Sequence, residues 1–117
     1  MVSPTQRSLK YLRNNGWHCE IVERFSPFSK VRQDLFGFAD LLCLKQDFPP
    51  LLVQVTSTGW SSRIRKINAE PRACLALAVG FSIEVHGWRK LKTNKNRWTI
   101  KITNIEKVDA KYVFPNV

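Results

Sequence analysis

Apolar and polar residues alternate on both sides of a short polar break near the middle of the chain. The segments 34–44 and 51–56 are apolar runs separated by KQDFPP, which predicts two antiparallel strands joined by a tight loop. Side chains alternate between the two faces of a strand, so the even-numbered face carries Asp40, Gln54 and Thr56. The odd-numbered face is entirely apolar and holds Ala39, Leu41, Cys43, Leu51, Val53 and Val55.

The polar residues of this hairpin converge within a segment that otherwise reads as core. If Lys45 pairs with Leu51, then Asp40 lies opposite Thr56, and opposed residues are about 5 Å apart. A carboxylate in an apolar strand is costly to bury unless it is paired or binds a metal. A structural aspartate hydrogen-bonded to Gln54 is the simpler interpretation, and a functional site is the other.

The remaining elements follow from hydrophobic periodicity and cap signals. Ser3 and Pro4 begin the first helix, and Asn15-Gly16 ends it. The patterns predict helices over 4–15, 62–69 and 71–79, strands over 17–25, 81–88 and 97–103, a loop over 26–33, and an edge strand or tail over 104–117. We therefore expect a single α/β domain spanning 1–117, with a mixed central sheet of about four to five strands flanked by helices.

Composition excludes several classes of protein. With 117 residues, 44% apolar and 24% charged, the chain has the composition of a globular domain rather than a disordered one. No apolar segment follows Met1, and the longest apolar run, 73–79, is too short to span a membrane, so we expect neither a secretory signal nor a membrane span. The three cysteines form no CxxC pair, which predicts buried thiols in a reducing cytoplasm and argues against zinc.

The net charge of +10 changes this picture. A basic excess of that size on a small chain points to a polyanionic partner, most often nucleic acid. A solvated basic surface and adhesion to anionic lipid are the alternatives. The residues expected to contact nucleic acid are Arg63 on the short helix, Arg89, Lys90, Lys92 and Lys95 in a loop between two strands, and Arg97 after it. An ordinary solvated hairpin tip is the alternative for the loop.

Asp40 on one predicted strand and Gln54-Val55-Thr56 on the next resemble the PD-(D/E)XK nuclease superfamily. This is the restriction-endonuclease-like fold, which includes archaeal Holliday junction resolvases. Its signature is an aspartate on one strand followed by (Asp/Glu/Gln)-x-Lys on the next. The wider phrase DLFGFADLL, LLVQVTS and VHGWRK also resembles small phage and bacterial proteins placed in this superfamily.

The resemblance implies a site for Mg²⁺ or Mn²⁺. Asp40 would be the principal ligand, with Gln54 and the backbone carbonyl of Val55 completing the protein side. Either Asp34 or Glu20 would supply a second carboxylate. A loop cap is the alternative for Asp34, and a surface strand residue is the favoured alternative for Glu20. Parity places Asp34 on the face of Asp40 if the strand is unbroken, although Gly37 interrupts it.

The chain departs from the superfamily at the lysine position, which is Thr56. Threonine carries no charge and cannot replace the lysine. Some members place the lysine on the following helix, where Lys66 is the best candidate and Arg63 a weaker one because arginine is not deprotonated in proteins. An ordinary solvated helix lysine is the alternative for Lys66.

Two functions from different classes remain open. The first is a metal-dependent nuclease that hydrolyses phosphodiester bonds in DNA, with branched DNA among the expected substrates. The second is a nucleic-acid-binding module that retains the nuclease fold without catalysis. A basic subunit of a larger assembly is a weaker third interpretation. A homodimer is expected only by analogy, since a four-way junction has two-fold symmetry.

Overall fold

The computed structural model describes residues 2–113, except for the side chain of Asn94. Within that range the chain forms three α-helices, seven strands and one short 3₁₀-helix. These are α1 (Pro4–Asn14), β1 (His18–Ile21), β2 (Arg24–Ser26), β3 (Val31–Gln33), β4 (Leu41–Leu44), β5 (Leu51–Thr56), α2 (Trp60–Asn68), α3 (Pro71–Ala78), β6 (Ser82–Leu91), the 3₁₀-helix (Lys92–Asn94) and β7 (Arg97–Asn104).

Five strands form the central sheet in the order β1-β4-β5-β6-β7, and β2 pairs with β3 in a separate hairpin. Strands β5 and β6 are parallel, while the other neighbours in the sheet are antiparallel. The parallel connection runs through α2 and α3, as a parallel crossover requires a connection of a dozen or more residues. The expected α/β class, with a mixed sheet flanked by helices, is confirmed.

The two faces of the sheet carry separate cores. One core packs α1 against the odd-numbered residues of β4 and β5, together with Cys19 and Trp88. The other packs α2 and α3 against Leu52, Ile83 and Val85. Asp40, Gln54 and Thr56 are all buried residues. The predicted apolar face is confirmed for β4 and β5, whereas Ala39 belongs to the opposite core.

The β4–β5 pairing differs from the expected register by two residues. Leu41 pairs with Val53, and the Asp40 N–H donates to the Val53 carbonyl at 2.8 Å. In this register Asp40 lies beside Gln54 rather than opposite Thr56. Because side chains alternate with a period of two, a shift of two residues leaves the residues of β4 and β5 on their predicted faces.

One hairpin forms where a loop was predicted, and a second, predicted hairpin extends further than expected. The predicted strand 17–25 ends at Ile21, and residues 24–26 instead pair with 31–33. Pairing between β6 and β7 continues as far as Leu91 and Arg97, so Arg89 and Lys90 lie in a strand and not in a loop. Cross-strand backbone hydrogen bonds, which the side-chain pattern does not report, decide both differences.

The helix ends follow the predicted signals closely. The Ser3 hydroxyl accepts a hydrogen bond from the Gln6 N–H at 3.1 Å, and α3 begins at Pro71. Helix α2 begins two residues before the predicted boundary, at Trp60. The segment 105–113 forms no strand, although the Ile105 N–H donates to Ile83, and the rest of the predicted tail lies outside the described residues. Among residues 2–113, no helix is both long and apolar enough to cross a membrane.

Candidate metal centre and adjoining pocket

A tight turn brings Asp34 next to Asp40. Leu35 and Ala39 form an isolated antiparallel bridge, with a hydrogen bond of 2.9 Å in each direction. Gly37 closes the turn with a φ of 80°, a left-handed conformation that glycine adopts without steric cost. Asp34 and Asp40 are the next opposed pair along this bridge. The predicted proximity is therefore present, but the proposed reason, an unbroken strand from 34 to 44, is wrong.

Glu23 completes a cluster of three carboxylates with these two aspartates. Glu23, Asp34 and Asp40 each present one carboxylate oxygen, and the three oxygens lie within 4.8 Å of one another. Glu23 lies between β1 and β2. The N–H of the preceding residue, Val22, donates a hydrogen bond to the Asp40 carbonyl at 2.9 Å. This backbone contact ties the end of β1 to the strand that carries Asp40.

Glu20, the other carboxylate considered from the sequence, does not join the cluster. Its side chain is exposed and pairs with His18 at 3.0 Å. The sequence gives no sign that Glu23 is a ligand, because its pattern predicts one continuous strand over 17–25 in which Glu23 is only one alternating position. The residue that ends the strand beside Asp40 is decided by pairing between β1 and β4.

Asp40 is 5% exposed and is held by two short hydrogen bonds. Its Oδ2 accepts from the Gln54 side-chain amide at 2.8 Å and from the Val55 N–H at 2.7 Å. Burial raises the pKa of Asp40 from its ordinary 3.8 to about 7; the Val55 N–H opposes this rise, and the nearby Asp34 and Glu23 add to it. A carboxyl in this setting binds either a proton or another cation strongly.

Gln54 gives a second observation that is consistent with a cation site. Its amide N–H₂ faces Asp40, and its Oε1 is buried without a hydrogen-bond partner among the described residues. Leaving such an oxygen unpaired costs about 1–3 kcal/mol, so native proteins rarely do so. Carboxylate and amide oxygens together are the donor set that Mg²⁺, Mn²⁺ and Ca²⁺ prefer. The residues present therefore fit a hard divalent cation.

Basic side chains border the same pocket, whose volume is about 540 Å³. The Lys66 ammonium lies 3.5 Å from Asp34 Oδ2, and the Arg32 guanidinium lies 3.8 Å from Glu23. Arg63, one turn before Lys66 on α2, also lines the pocket. The i, i+3 spacing expected to place Arg63 and Lys66 on one helix face does so, and that face is turned to the carboxylates.

Thr56 and Val55 line the pocket and also make hydrogen bonds that stabilise the surrounding structure. The Thr56 hydroxyl accepts hydrogen bonds from the N–H groups of Thr58 and Gly59, at 3.3 and 2.9 Å, and so shapes the loop before α2. Val55 contributes its N–H to Asp40, and the metal-binding role expected of its carbonyl stays a prediction. The structure thus gathers Asp34, Asp40, Gln54, Val55, Thr56, Arg63 and Lys66 around one cavity.

The other predicted cations lie elsewhere. Arg89 lines a neighbouring pocket, while Lys90, Lys92, Lys95 and Arg97 belong to the β6–β7 hairpin and line neither of these two cavities. Sequence alone grouped Arg89 with the hairpin tip because all of these cations follow one another along the chain.

A buried Ser–His–Glu chain on the opposite face of the sheet has the composition of a hydrolase triad. Ser8 Oγ lies 3.0 Å from His86 Nδ1, and His86 Nε2 lies 2.9 Å from Glu84. The Trp88 indole donates to the same serine oxygen at 2.8 Å. Ser8 and His86 are fully buried, so no substrate reaches the hydroxyl. The Ser8–His86 hydrogen bond instead holds α1 against β6.

A comparison of the chain with protein-family models, with curated proteins and with solved structures found no significant match. The resemblance to PD-(D/E)XK nucleases therefore stays a prediction from the sequence.

Proposed function

We propose that this protein is a metal-dependent nuclease that hydrolyses phosphodiester bonds in DNA. The observation that carries the proposal is the cluster of Glu23, Asp34 and Asp40 oxygens within 4.8 Å, bordered by the ammonium of Lys66. The protein as a whole has a net charge of +10, which favours binding of a polyanionic substrate. A metal ion held by the three carboxylates would let a phosphate of that substrate bind next to them.

In the proposed site, Asp40, Asp34 and Glu23 would hold Mg²⁺ or Mn²⁺, and Gln54, which also lines the pocket, would add a neutral oxygen ligand. A bound divalent cation lowers the pKa of a water ligand and neutralises charge on the phosphate. The Val55 N–H and the Gln54 amide orient the Asp40 carboxylate, so that one of its oxygens is already committed within the sheet.

Lys66 would supply the positive charge that the signature lysine, replaced here by Thr56, cannot supply. The ammonium of Lys66 lies beside Asp34 and borders the pocket, from which it can bind a non-bridging phosphate oxygen. Arg63 adds a second cation on the same helix face, and as a planar donor it suits bidentate binding of phosphate. Thr56, which occupies the signature position, keeps the loop before α2 in place.

Cleavage of branched, single-stranded and duplex DNA, each with Mg²⁺ and with Mn²⁺, tests the proposal. We expect wild-type protein to cut at least one of the three substrates and Asp40→Asn to cut none. Lys66→Ala should lower the rate by about 10²–10³-fold, the usual cost of losing one preorganised charge at a transition state. Lys107→Ala is the matched control, since Lys107 is exposed beyond β7, near the end of the sheet away from Thr56.

A binding module without catalysis is the second candidate, because the Thr56 hydroxyl is committed to the loop and the signature lysine is absent. Thr56→Lys distinguishes the two functions. If the wild-type protein binds all three substrates and cuts none, while Thr56→Lys cuts, the enzyme is refuted and the binding module is favoured.

A further inference from the structure

The neighbouring pocket that Arg89 lines differs in its lining residues from the pocket that contains the three carboxylates. It has a volume of about 420 Å³ and is lined by residues of α2, β6 and β7 and by the loop 56–59. It shares Thr56, Ser57 and Thr58 with the carboxylate pocket, so these three residues form a common wall. The two cavities therefore adjoin each other across one short loop.

Three cations from three different elements line this second pocket. They are Arg65 of α2, Arg89 of β6 and Lys101 of β7, and no acidic residue lines it. Among residues 2–113, none of the three lies in an ion pair with a carboxylate. Like charges gathered around one cavity repel each other unless an anion enters, so the pocket is electrostatically suited to an anionic ligand.

Packing around Trp60 holds part of this arrangement in place. The Lys101 ammonium lies 3.6 Å from the centre of the Trp60 ring, and the Trp60 indole donates to the Thr103 hydroxyl at 3.1 Å. Trp60 itself lies on Gly87, where an added Cβ would come within 3.0 Å of the ring. The glycine thus permits the ring to approach the sheet, and the ring positions the lysine at the pocket.

We propose that this pocket binds the phosphodiester backbone of a nucleic acid, at a phosphate next to the one held in the carboxylate pocket. The position relative to cleavage rests on the proposed function, whereas the binding itself does not. The common wall of Thr56, Ser57 and Thr58 places the two cavities side by side, and a continuous nucleic-acid strand that crosses this wall presents a phosphate to each. Arg65 and Arg89 supply planar donors suited to phosphate oxygens.

The test is binding of short duplex and single-stranded DNA without divalent cations, in an Asp40→Asn background, measured over a range of salt concentrations. We expect Arg65→Gln, Arg89→Gln and Lys101→Gln each to weaken binding. Each should also flatten the log–log salt slope by about 0.9 on duplex and about 0.7 on single strands. Lys107→Gln is the control for loss of one exposed charge and should leave the slope unchanged. Slopes altered no more by the pocket variants than by Lys107→Gln would overturn the proposal.

Two further variants separate a built pocket from a diffuse positive field. Ser61 is exposed and lines the pocket, so Ser61→Phe fills the cavity while every charge remains. We expect it to weaken DNA binding, and Lys101→Arg to retain it. Undiminished binding by Ser61→Phe would show that the cations act only through their field. Thermal unfolding of each variant checks that the fold is intact.

Vesicles containing phosphatidylserine provide the other anionic surface. Binding of vesicles, but not of DNA, that the same pocket variants abolish would overturn the assignment to nucleic acid. Cleavage is measured separately in the wild-type background. Absence of cleavage there refutes the proposed nuclease and leaves the binding result for the pocket standing.

Discussion

Replacing Asp40 with asparagine removes a buried charge and keeps its shape. The asparagine Oδ1 can accept the same two hydrogen bonds that Asp40 accepts from the Gln54 amide and the Val55 N–H. We therefore expect Asp40→Asn to fold, and to be more stable than the wild type in neutral solution without metal.

The magnitude follows from the pKa of Asp40, which burial raises from 3.8 to about 7. The folded protein holds this proton more tightly than the unfolded chain does, so folding is favoured most below pH 3.8. The contribution is lost as the pH rises from 3.8 to about 7. At about 1.36 kcal/mol for each pH unit, the loss amounts to about 4 kcal/mol, and Asp40→Asn does not incur it.

Urea unfolding at a series of pH values in the presence of a chelator measures this difference. The free energy of unfolding of Asp40→Asn, relative to wild type, should rise from its value at pH 4 by about 4 kcal/mol at pH 8. Asp47→Asn, at an exposed site in the β4–β5 loop, removes one carboxylate as a control and should show no such rise. Comparison with wild type at each pH cancels the titration of groups that do not interact with Asp40.

Mg²⁺ should narrow the stability difference between the two proteins. A ligand that binds only the folded state stabilises it by about 2.7 kcal/mol at 100 times its dissociation constant. We expect this stabilisation in wild type at pH 8, a smaller one at pH 6 where the proton competes, and none in Asp40→Asn. A stability difference between the two proteins that does not change with pH would refute the reasoning about burial. Equal stabilisation of both by Mg²⁺ would refute the assignment of Asp40 as a ligand.

Three further predictions concern other parts of the molecule. Ser8→Ala leaves a buried indole N–H and a buried imidazole without their shared partner, and should lower the free energy of unfolding by about 2–3 kcal/mol in urea titration; a loss below 0.5 kcal/mol would contradict that role. Gly37→Ala forces a side chain into a left-handed turn and toward Arg72, and should weaken Mn²⁺ binding measured by calorimetry, because the turn holds Asp34 in the cluster. Burial raises the pKa of the Cys43 thiol, so a thiol reagent should label half-buried Cys74 well before Cys43. Mass spectrometry of the labelled native protein measures the two rates. Equal labelling of Cys43 and Cys74 would contradict the prediction.

Local chemistry determined much of this fold without reference to distant residues. Alternation over 41–44 and 51–56 identified which side of the sheet each strand residue occupies, and a register shift of two left that assignment intact. Ser3-Pro4 and Pro71 marked helix starts because caps act within one turn. Asp40 and Gln54 emerged as candidates for the same reason, since a polar pair in an apolar strand is visible within a few residues.

Tertiary structure alone decided which charged groups meet. Glu23 joins the carboxylates because β1 ends beside β4, and Asp34 joins them because a bridge between Leu35 and Ala39 reverses the chain. Arg65, Arg89 and Lys101 gather in one pocket through the crossover of α2 and the pairing of β6 with β7. Residue periodicity reports the faces of single elements, whereas backbone pairing and packing between distant segments set the positions of side chains relative to one another. A site built from four or more elements therefore depends on information that no local pattern contains.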